Sequence, residues 1–255
     1  MPRRPRIHLP GFPLHVVQRG YKRDACFFAE EDYLAYREWL SEACQATGCA
    51  LHAYVQMTNH VHLLLSPPES EAVPRLMISL GRRYVQYINK SYRRTGTLWD
   101  SRYKSSLVQA DCYLLLCQRY IELNPVRAAM VDDPAHYRWS SYRTNGLGQR
   151  DSLLTPHAVY SSLGANEADR LVNYRSLFRP ELDTVAISDI RMALALGFAI
   201  GAHALRATAA TNALDHQADI AKVQEWLGHA NIATTRIYDH RKTRPEDSPT
   251  FKVAY

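Results

Sequence analysis

The sequence has no apolar run approaching the roughly 20 residues that a membrane-spanning helix needs, so no membrane segment is expected. Its start, MPRRPRIHLPGFPLH, is basic but lacks the apolar stretch of a secretory signal. The five cysteines, Cys26, Cys44, Cys49, Cys112 and Cys117, are odd in number and form no Cys-x-x-Cys pair. That excludes an obvious disulfide framework and points to small buried thiols in a reduced, cytoplasmic setting. Negative charge is nearly missing from one stretch. Residues 75–104 hold Arg75, Arg82, Arg83, Lys90, Arg93, Arg94, Arg102 and Lys104 against Asp100 alone.

The rest of the composition is that of a globular protein, 46% hydrophobic and 22% charged, and 255 residues can form one large domain or two modest ones. Charge is uneven along the chain. Residues 1–150 hold 20 Lys and Arg against 13 Asp and Glu, a net of +7, and the remainder holds 11 against 12, a net of −1. In the basic stretch, Arg82, Arg83, Lys90, Arg93, Arg94, Arg102 and Lys104 alternate with Tyr84, Tyr87, Tyr92, Trp99 and Tyr103. Such a stripe suits a nucleic-acid strand, with cations meeting phosphates and aromatic faces accepting bases; a merely solvated helix face is the competing reading.

Periodicity gives the order of elements. Leu14–Gly20 reads as a strand, Glu30–Cys49 as a helix, and residues 53–65 as two apolar strands joined at Thr58-Asn59. Val73–Arg94 has helical spacing and Leu98–Gln109 alternates as a fourth strand. Asp111 suits the N-cap of a third helix, Cys112–Asn124. The result is an α+β fold: a ferredoxin-like βαββαβ antiparallel sheet with an appended helix, covered on one face and free to build a site on the other. Further helices are expected over 151–197.

Strand alternation points His60, His62 and Leu64 to one face and Val61, Leu63 and Leu65 to the other. Two imidazoles so placed can reach one metal ion, although such a pair also arises as two ordinary half-buried histidines. On the third helix, Tyr120 and Asn124 share a face one turn apart, and Pro125 disfavours helical geometry at Asn124. A carboxamide at a loosened helix end can serve as a third ligand. Tyr120 beside a metal becomes a candidate nucleophile, since a phenol needs a nearby cation or base to act at neutral pH; a core aromatic is the alternative. Two imidazoles alone would suit zinc as well as other divalent ions.

The runs QMTNHVHLLL from Gln56, LW…RYK from Leu98 and RYIELNPVRA from Arg119, with WSSY at Trp139, resemble REP-associated tyrosine transposases of the HUH single-tyrosine class. The likeness covers about residues 1–197. It implies a metal-dependent single-stranded DNA endonuclease and strand transferase, with His60, His62 and Asn124 holding Mg²⁺ or Mn²⁺. Tyr120 matches the family nucleophile, forming a 5′-phosphotyrosine and releasing a 3′-hydroxyl. The implied partner is single-stranded or hairpin DNA of the repetitive extragenic palindrome type, bound on the basic 82–104 surface. The protein would be nucleoid-associated and act as a monomer or homodimer.

From about Gly201 the chain changes texture. His203-Ala-Leu-Arg206, Leu227-Gly228-His229 and Thr234–Tyr238 resemble the end of a phage-integrase-type tyrosine recombinase catalytic domain. The resemblance maps that family's histidine-arginine box to His203 and Arg206, its later histidine to His229 and its nucleophile to Tyr238. Its earlier arginine and lysine have no match. The expected organisation is a catalytic domain over 1–145, a helical extension over 146–200 and a partial recombinase-like segment over 201–255. Recombination by that segment, and a hairpin-binding protein with a decayed site, stand as alternatives.

Overall fold

The structure, a computed structural model, describes residues 6, 8–108, 111–179, 182, 184–196, 213–214 and 219–227. Backbone contacts divide the chain into two units, Met1–Ala199 and Ile200–Tyr255.

In the first unit the strands are β1 (Leu14–Arg19), β2 (Ala50–Met57), β3 (His60–Ser66) and β4 (Lys104–Leu107). They form one antiparallel sheet in the order β2-β3-β1-β4. Helix α1 (Glu30–Thr47) links β1 to β2, and α2 (Ala72–Ser91) links β3 to β4. This is the expected ferredoxin-like order. The fourth strand is shorter than the alternation over Leu98–Gln109 predicted, because Trp99 meets Gly20 only as an isolated bridge and regular pairing begins at Lys104.

Helix α1 starts where Asp32 reaches back: its Oδ2 accepts from the backbone N–H of Phe28 at 2.8 Å and of Ala29 at 3.0 Å. Two otherwise orphaned helix-start donors are thereby satisfied. It stops at Gly48, whose φ of 70° a side chain would resist. On α2, Leu76, Leu80, Tyr84 and Ile88 recur at helical spacing and are all buried. They join Tyr36 and Leu40 of α1 and Leu14, Val16, Val61, Leu63 and Leu65 of the sheet in one core.

The other sheet face is also covered. Helix α3 (Asp111–Glu122) and a later helix, named α8 below (Thr184–Leu196), pack on it, and Leu114, Cys117, Ile121, Ile190 and Leu194 meet Val17, Ala53, Val55 and Leu64. The expectation of a free face is corrected: sheet residues on both sides are apolar, and an uncovered face would leave Val55 and Leu64 in water. Asp111 is the first residue of α3 rather than its N-cap, and the helix ends at Glu122. After Leu123 comes a short helix, α4 (Asn124–Arg127), with Pro125 in its first turn, where a missing N–H costs nothing.

Between α4 and α8 lie the short helices α5 (Tyr142–Asn145) and α6 (Ala158–Ser161), and then α7 (Glu167–Ser176). The WSSY run adds a bridge to the sheet edge. Gln56 N–H donates to the Trp139 carbonyl at 2.9 Å, Ser141 N–H donates to the Tyr54 carbonyl at 3.0 Å, and Ser140 pairs with Val55. The open edge of β2 is thus satisfied within the chain. In the second unit, a helix over Ile220–Leu227 packs Ile220 and Val223 on Ala213 and Leu214.

Candidate active site

The register of the sheet builds the site. Cross-strand partners share a face, and β1 pairs Val17 with His62, Arg19 with His60 and His15 with Leu64. His15, His60 and His62 therefore project to the face covered by α3. His15 Nε2 lies 2.8 Å from His62 Nδ1, with ring centroids 5.0 Å apart, and the His60 and His62 centroids are 4.9 Å apart. Tyr120 stands over the group, 5.9 Å from the His15 centroid and 5.8 Å from that of His62, edge-on to both. The structure thus brings together His60, His62 and Tyr120.

His15 carries no spacing signal in the sequence. It is 1% exposed and bonded to His62. Only the β1–β3 register could have revealed it, since 47 residues separate the two rings in the chain.

Burial dominates the electrostatics. It lowers the pKa of His15 to about 3, helped by Arg127, and that of His60 to about 4, helped by Arg19 and Arg127. His62 falls well below the usual range through burial first, then His15, His60, Arg127 and Arg19. All three rings are neutral at pH 7, the form a metal ligand needs. The Asn59 carboxamide donates through Nδ2 to the Arg23 carbonyl at 2.9 Å, so its Oδ1 faces His60 Nδ1 at 2.6 Å and accepts from it. His60 Nε2 is left as a bare lone pair. For His62 Nε2 to be bare as well, its Nδ1–H must donate to His15 Nε2, the outer-shell arrangement usual for ligating histidines.

Asn124 donates through Nδ2 to the Tyr120 carbonyl at 3.2 Å, which leaves its oxygen as the atom available to a ligand. The donor set of two imidazoles and one carboxamide oxygen fits a divalent ion. Among the described residues, no group of three or more His, Cys, Asp or Glu side chains could hold a metal.

The reverse face of α3 carries a buried carboxylate. Glu122 is 0% exposed and accepts from Ser141 Oγ at 2.6 Å, Asn145 Nδ2 at 2.9 Å and Tyr174 Oη at 2.7 Å. Burial raises its pKa and the three donors pull it back; burial prevails, leaving it at about 7. Residues two apart on a helix point to nearly opposite sides. Glu122 therefore ties the helix that presents Tyr120 to α5 and α7.

The basic stripe is placed differently from the histidines. Arg82, Arg83, Lys90, Arg93, Arg102 and Lys104 are exposed, and Arg94 is half-buried. Those on α2 belong to the layer on the opposite side of the sheet from Tyr120. Arg83 is ion-paired with Glu42 and lies over the Trp39 ring, and Arg94 lies over Phe28. The aromatic half of the expectation is corrected. Tyr84, Trp99 and Tyr103 are core residues, and Tyr84 donates to the Cys26 carbonyl at 2.7 Å. Helical and strand spacing turns those rings inward while the cations turn out, so only half-buried Tyr87 and exposed Tyr92 reach the surface. His203, Arg206, His229 and Tyr238 lie outside the described residues.

Residues 10–124 match a family model described as "Transposase IS200 like", and residues 184–244 match one described as "Phage integrase family". The second match begins in α8, inside the first compact unit. Curated relatives include tyrosine recombinase XerC of Methylobacterium sp. (strain 4-46), 42% identical over 59 residues, which are 23% of this chain and 18% of that protein. Tyrosine recombinase XerD of Oceanobacillus iheyensis is 31% identical over 145 residues, 56% of this chain and 46% of that one. The chain spans less than half the length of these relatives. Among solved structures, one described as the REP-associated tyrosine transposase bound to a REP hairpin aligns over 62% of this chain and 93% of that chain. It does so at 14% identity and a TM-score of 0.49. The chain is thus similar to IS200-like transposases over 10–124 and to the phage integrase family over 184–244.

Proposed function

We propose that the Tyr120 face cleaves and rejoins single-stranded DNA at or near a palindromic hairpin, with Tyr120 as nucleophile. The observation that carries this reading is the placement of the Tyr120 ring against the His62 and His15 rings, on a face where the charged groups acting on the histidines are arginines. A phosphodiester is drawn to such a face, and the Tyr120 side chain, 5% exposed, is held against these rings. His60, His62 and Asn124 would hold a divalent ion, Mg²⁺ or Mn²⁺ by family resemblance. When bound, it supplies Lewis-acid polarisation of a non-bridging phosphate oxygen.

Tyr120 forms the new O–P bond to the 5′ side of the break as the P–O3′ bond opens. The phenol proton ends on the released 3′-hydroxyl, and the reverse step rejoins a strand. Asn124 holds the end of the helix through the Tyr120 carbonyl, and Glu122 holds its reverse face. The working unit is 1–145 with its extension to about 200; residues 201–255 are a recombinase remnant, and the protein acts as a monomer or homodimer.

The test is trapping of a covalent adduct from a labelled hairpin library with randomised flanks, with Mn²⁺ or with EDTA. The adduct should require Mn²⁺, vanish in Tyr120→Phe and persist in Tyr238→Phe. A second reading, recombination by the C-terminal segment, draws on the 184–244 match. It would give the opposite pattern: an EDTA-resistant adduct on duplex DNA that depends on Tyr238. Tight hairpin binding without any adduct would instead mark a decayed enzyme.

A further inference from the structure

Arg127 closes α4, just beyond the residues that match the transposase family model. Its Cζ lies 4.0 Å from the centroid of the Tyr120 ring, a stacking cation–π contact. Its Nη1 is shut off from solvent and has no hydrogen-bond acceptor among the described residues. Two other guanidinium groups spend donors internally, although Nε of Arg37 and of Arg170 likewise lacks an acceptor among the described residues. Arg143 Nε donates to the Ala135 carbonyl at 2.9 Å, and Arg175 Nη1 donates to the Gly146 carbonyl at 2.7 Å. An unmet buried donor on a charged group is costly, and at Arg127 it lies beside the Tyr120 ring.

The surroundings deepen the imbalance. The side chains acting on the charge of Arg127 are Tyr120 and a second cation, Arg191 of α8, with no carboxylate among them. Arg127 in turn acts on His15, His60 and His62, and Arg19 acts on His60 and His62. None of Arg19, Arg127 and Arg191 forms an ion pair with a described residue. Arg19 and Arg127 therefore bear on the neutral histidines, and Arg191 adds positive charge beside Arg127. A low-dielectric site with surplus positive charge and an unmet N–H is complementary to an anion, and a planar guanidinium suits the two non-bridging oxygens of a phosphodiester.

We propose that Arg127 is the phosphate clamp of this site: stacked on the ring of Tyr120, its guanidinium takes a non-bridging oxygen of the phosphodiester. The clamp fixes the phosphorus beside the phenol oxygen and stabilises charge that develops as the bond to the 3′-oxygen opens. It rests on the reading of the Tyr120 face as the reacting face, but it concerns non-covalent anion binding and can be tested apart from cleavage.

The probe is dimethyl phosphate, a phosphodiester monoanion, titrated into full-length Tyr120→Phe, in which no adduct can form. The Arg127 Nε–H resonance should shift saturably with dimethyl phosphate and stay still in chloride of equal ionic strength. Arg127→Gln should weaken binding at least tenfold, and Arg127→Lys should recover only part of it, since an ammonium lacks the fork. Wild-type affinity in Arg127→Gln overturns the clamp. If that variant does not fold, an unmoved Arg127 resonance in Tyr120→Phe overturns it. Covalent adduct formation by the wild type alongside such a result leaves the cleavage reading standing and the clamp refuted; binding without any adduct does the reverse.

Discussion

Glu122 offers a quantitative test of how the helix bearing Tyr120 is held. Its carboxyl moves from an ordinary 4.5 to about 7 in the folded chain. At roughly 1.4 kcal/mol per tenfold step, ionised Glu122 costs the fold about 3 kcal/mol relative to the protonated form. The sign follows from the direction. A raised folded pKa means that this stability is fully present below about pH 4.5 and is lost as pH rises through about 7. Glu122→Gln keeps the oxygen that accepts from Ser141 and Asn145 and turns an N–H toward the Tyr174 oxygen. Whatever fixed penalty that exchange carries does not vary with pH.

Urea unfolding at pH 5 and pH 8 should therefore show the wild type losing about 2–3 kcal/mol relative to Glu122→Gln between the two conditions. His15, His60 and His62 titrate in both chains and cancel from the difference. Alone they act in the opposite sense, their lowered pKa values withdrawing stability as pH falls. A wild-type-minus-variant difference that is flat with pH would refute the reasoning, for it would mean that the three donors outweigh burial and Glu122 is ionised throughout. Glu122→Ala is the harsher change, yet it does not strand all three donors. Asn145 Nδ2 keeps the His52 carbonyl at 3.2 Å and Ser141 Oγ keeps the Tyr54 carbonyl at 3.2 Å, so the Tyr174 hydroxyl is the one left without its acceptor.

Other consequences are equally direct. Removing His15 should lower Mn²⁺ affinity about 10–100-fold, because it deprives His62 of the partner that orients its ring, while adduct yield at saturating Mn²⁺ returns toward wild type; unchanged Mn²⁺ affinity by calorimetry would contradict the role. Replacing Arg82, Arg83, Arg93 and Arg94 by alanine should flatten the salt dependence of hairpin binding by about 0.7–0.9 in log–log slope for each phosphate that is no longer neutralised, with Arg83 mattering least because it is paired with Glu42. An unchanged slope would move the DNA off this surface. Gly20→Ala would set a methyl group 2.2 Å from the Asp24 carbonyl oxygen, so the variant should unfold at markedly lower denaturant; a small shift would show that the 20–24 turn yields easily.

Element order and the two helices of the first core were legible because their signals are local. Leu76, Leu80, Tyr84 and Ile88 give a helix, and alternation in HVHLLL gives a strand whatever surrounds it. The start of β4 was not legible, since regular pairing from Lys104 depends on what β1 offers. The aromatic stripe misled for a related reason. Tyr84, Trp99 and Tyr103 sit beside arginines in sequence, and adjacency along the chain does not say which side of a helix or strand faces the core.

By itself the sequence determined that His60 and His62 share one strand face, because backbone periodicity dictates it, whereas the one helix expected to carry Tyr120 and Asn124 is two, α3 ending at Glu122 and Asn124 opening α4. It also carried the change of texture near residue 200. Tertiary structure alone decided that His15 bonds to His62, that Arg127 lies on Tyr120 with an unmet donor, and that Glu122 ties α3 to Ser141, Asn145 and Tyr174. The His15 and Glu122 contacts depend on strand register and helix packing between residues distant in the chain, and the Arg127 contact on how α4 follows α3. No local spacing encodes the His15 and Glu122 contacts; the balance of burial and hydrogen bonding across the sheet and its helices sets them.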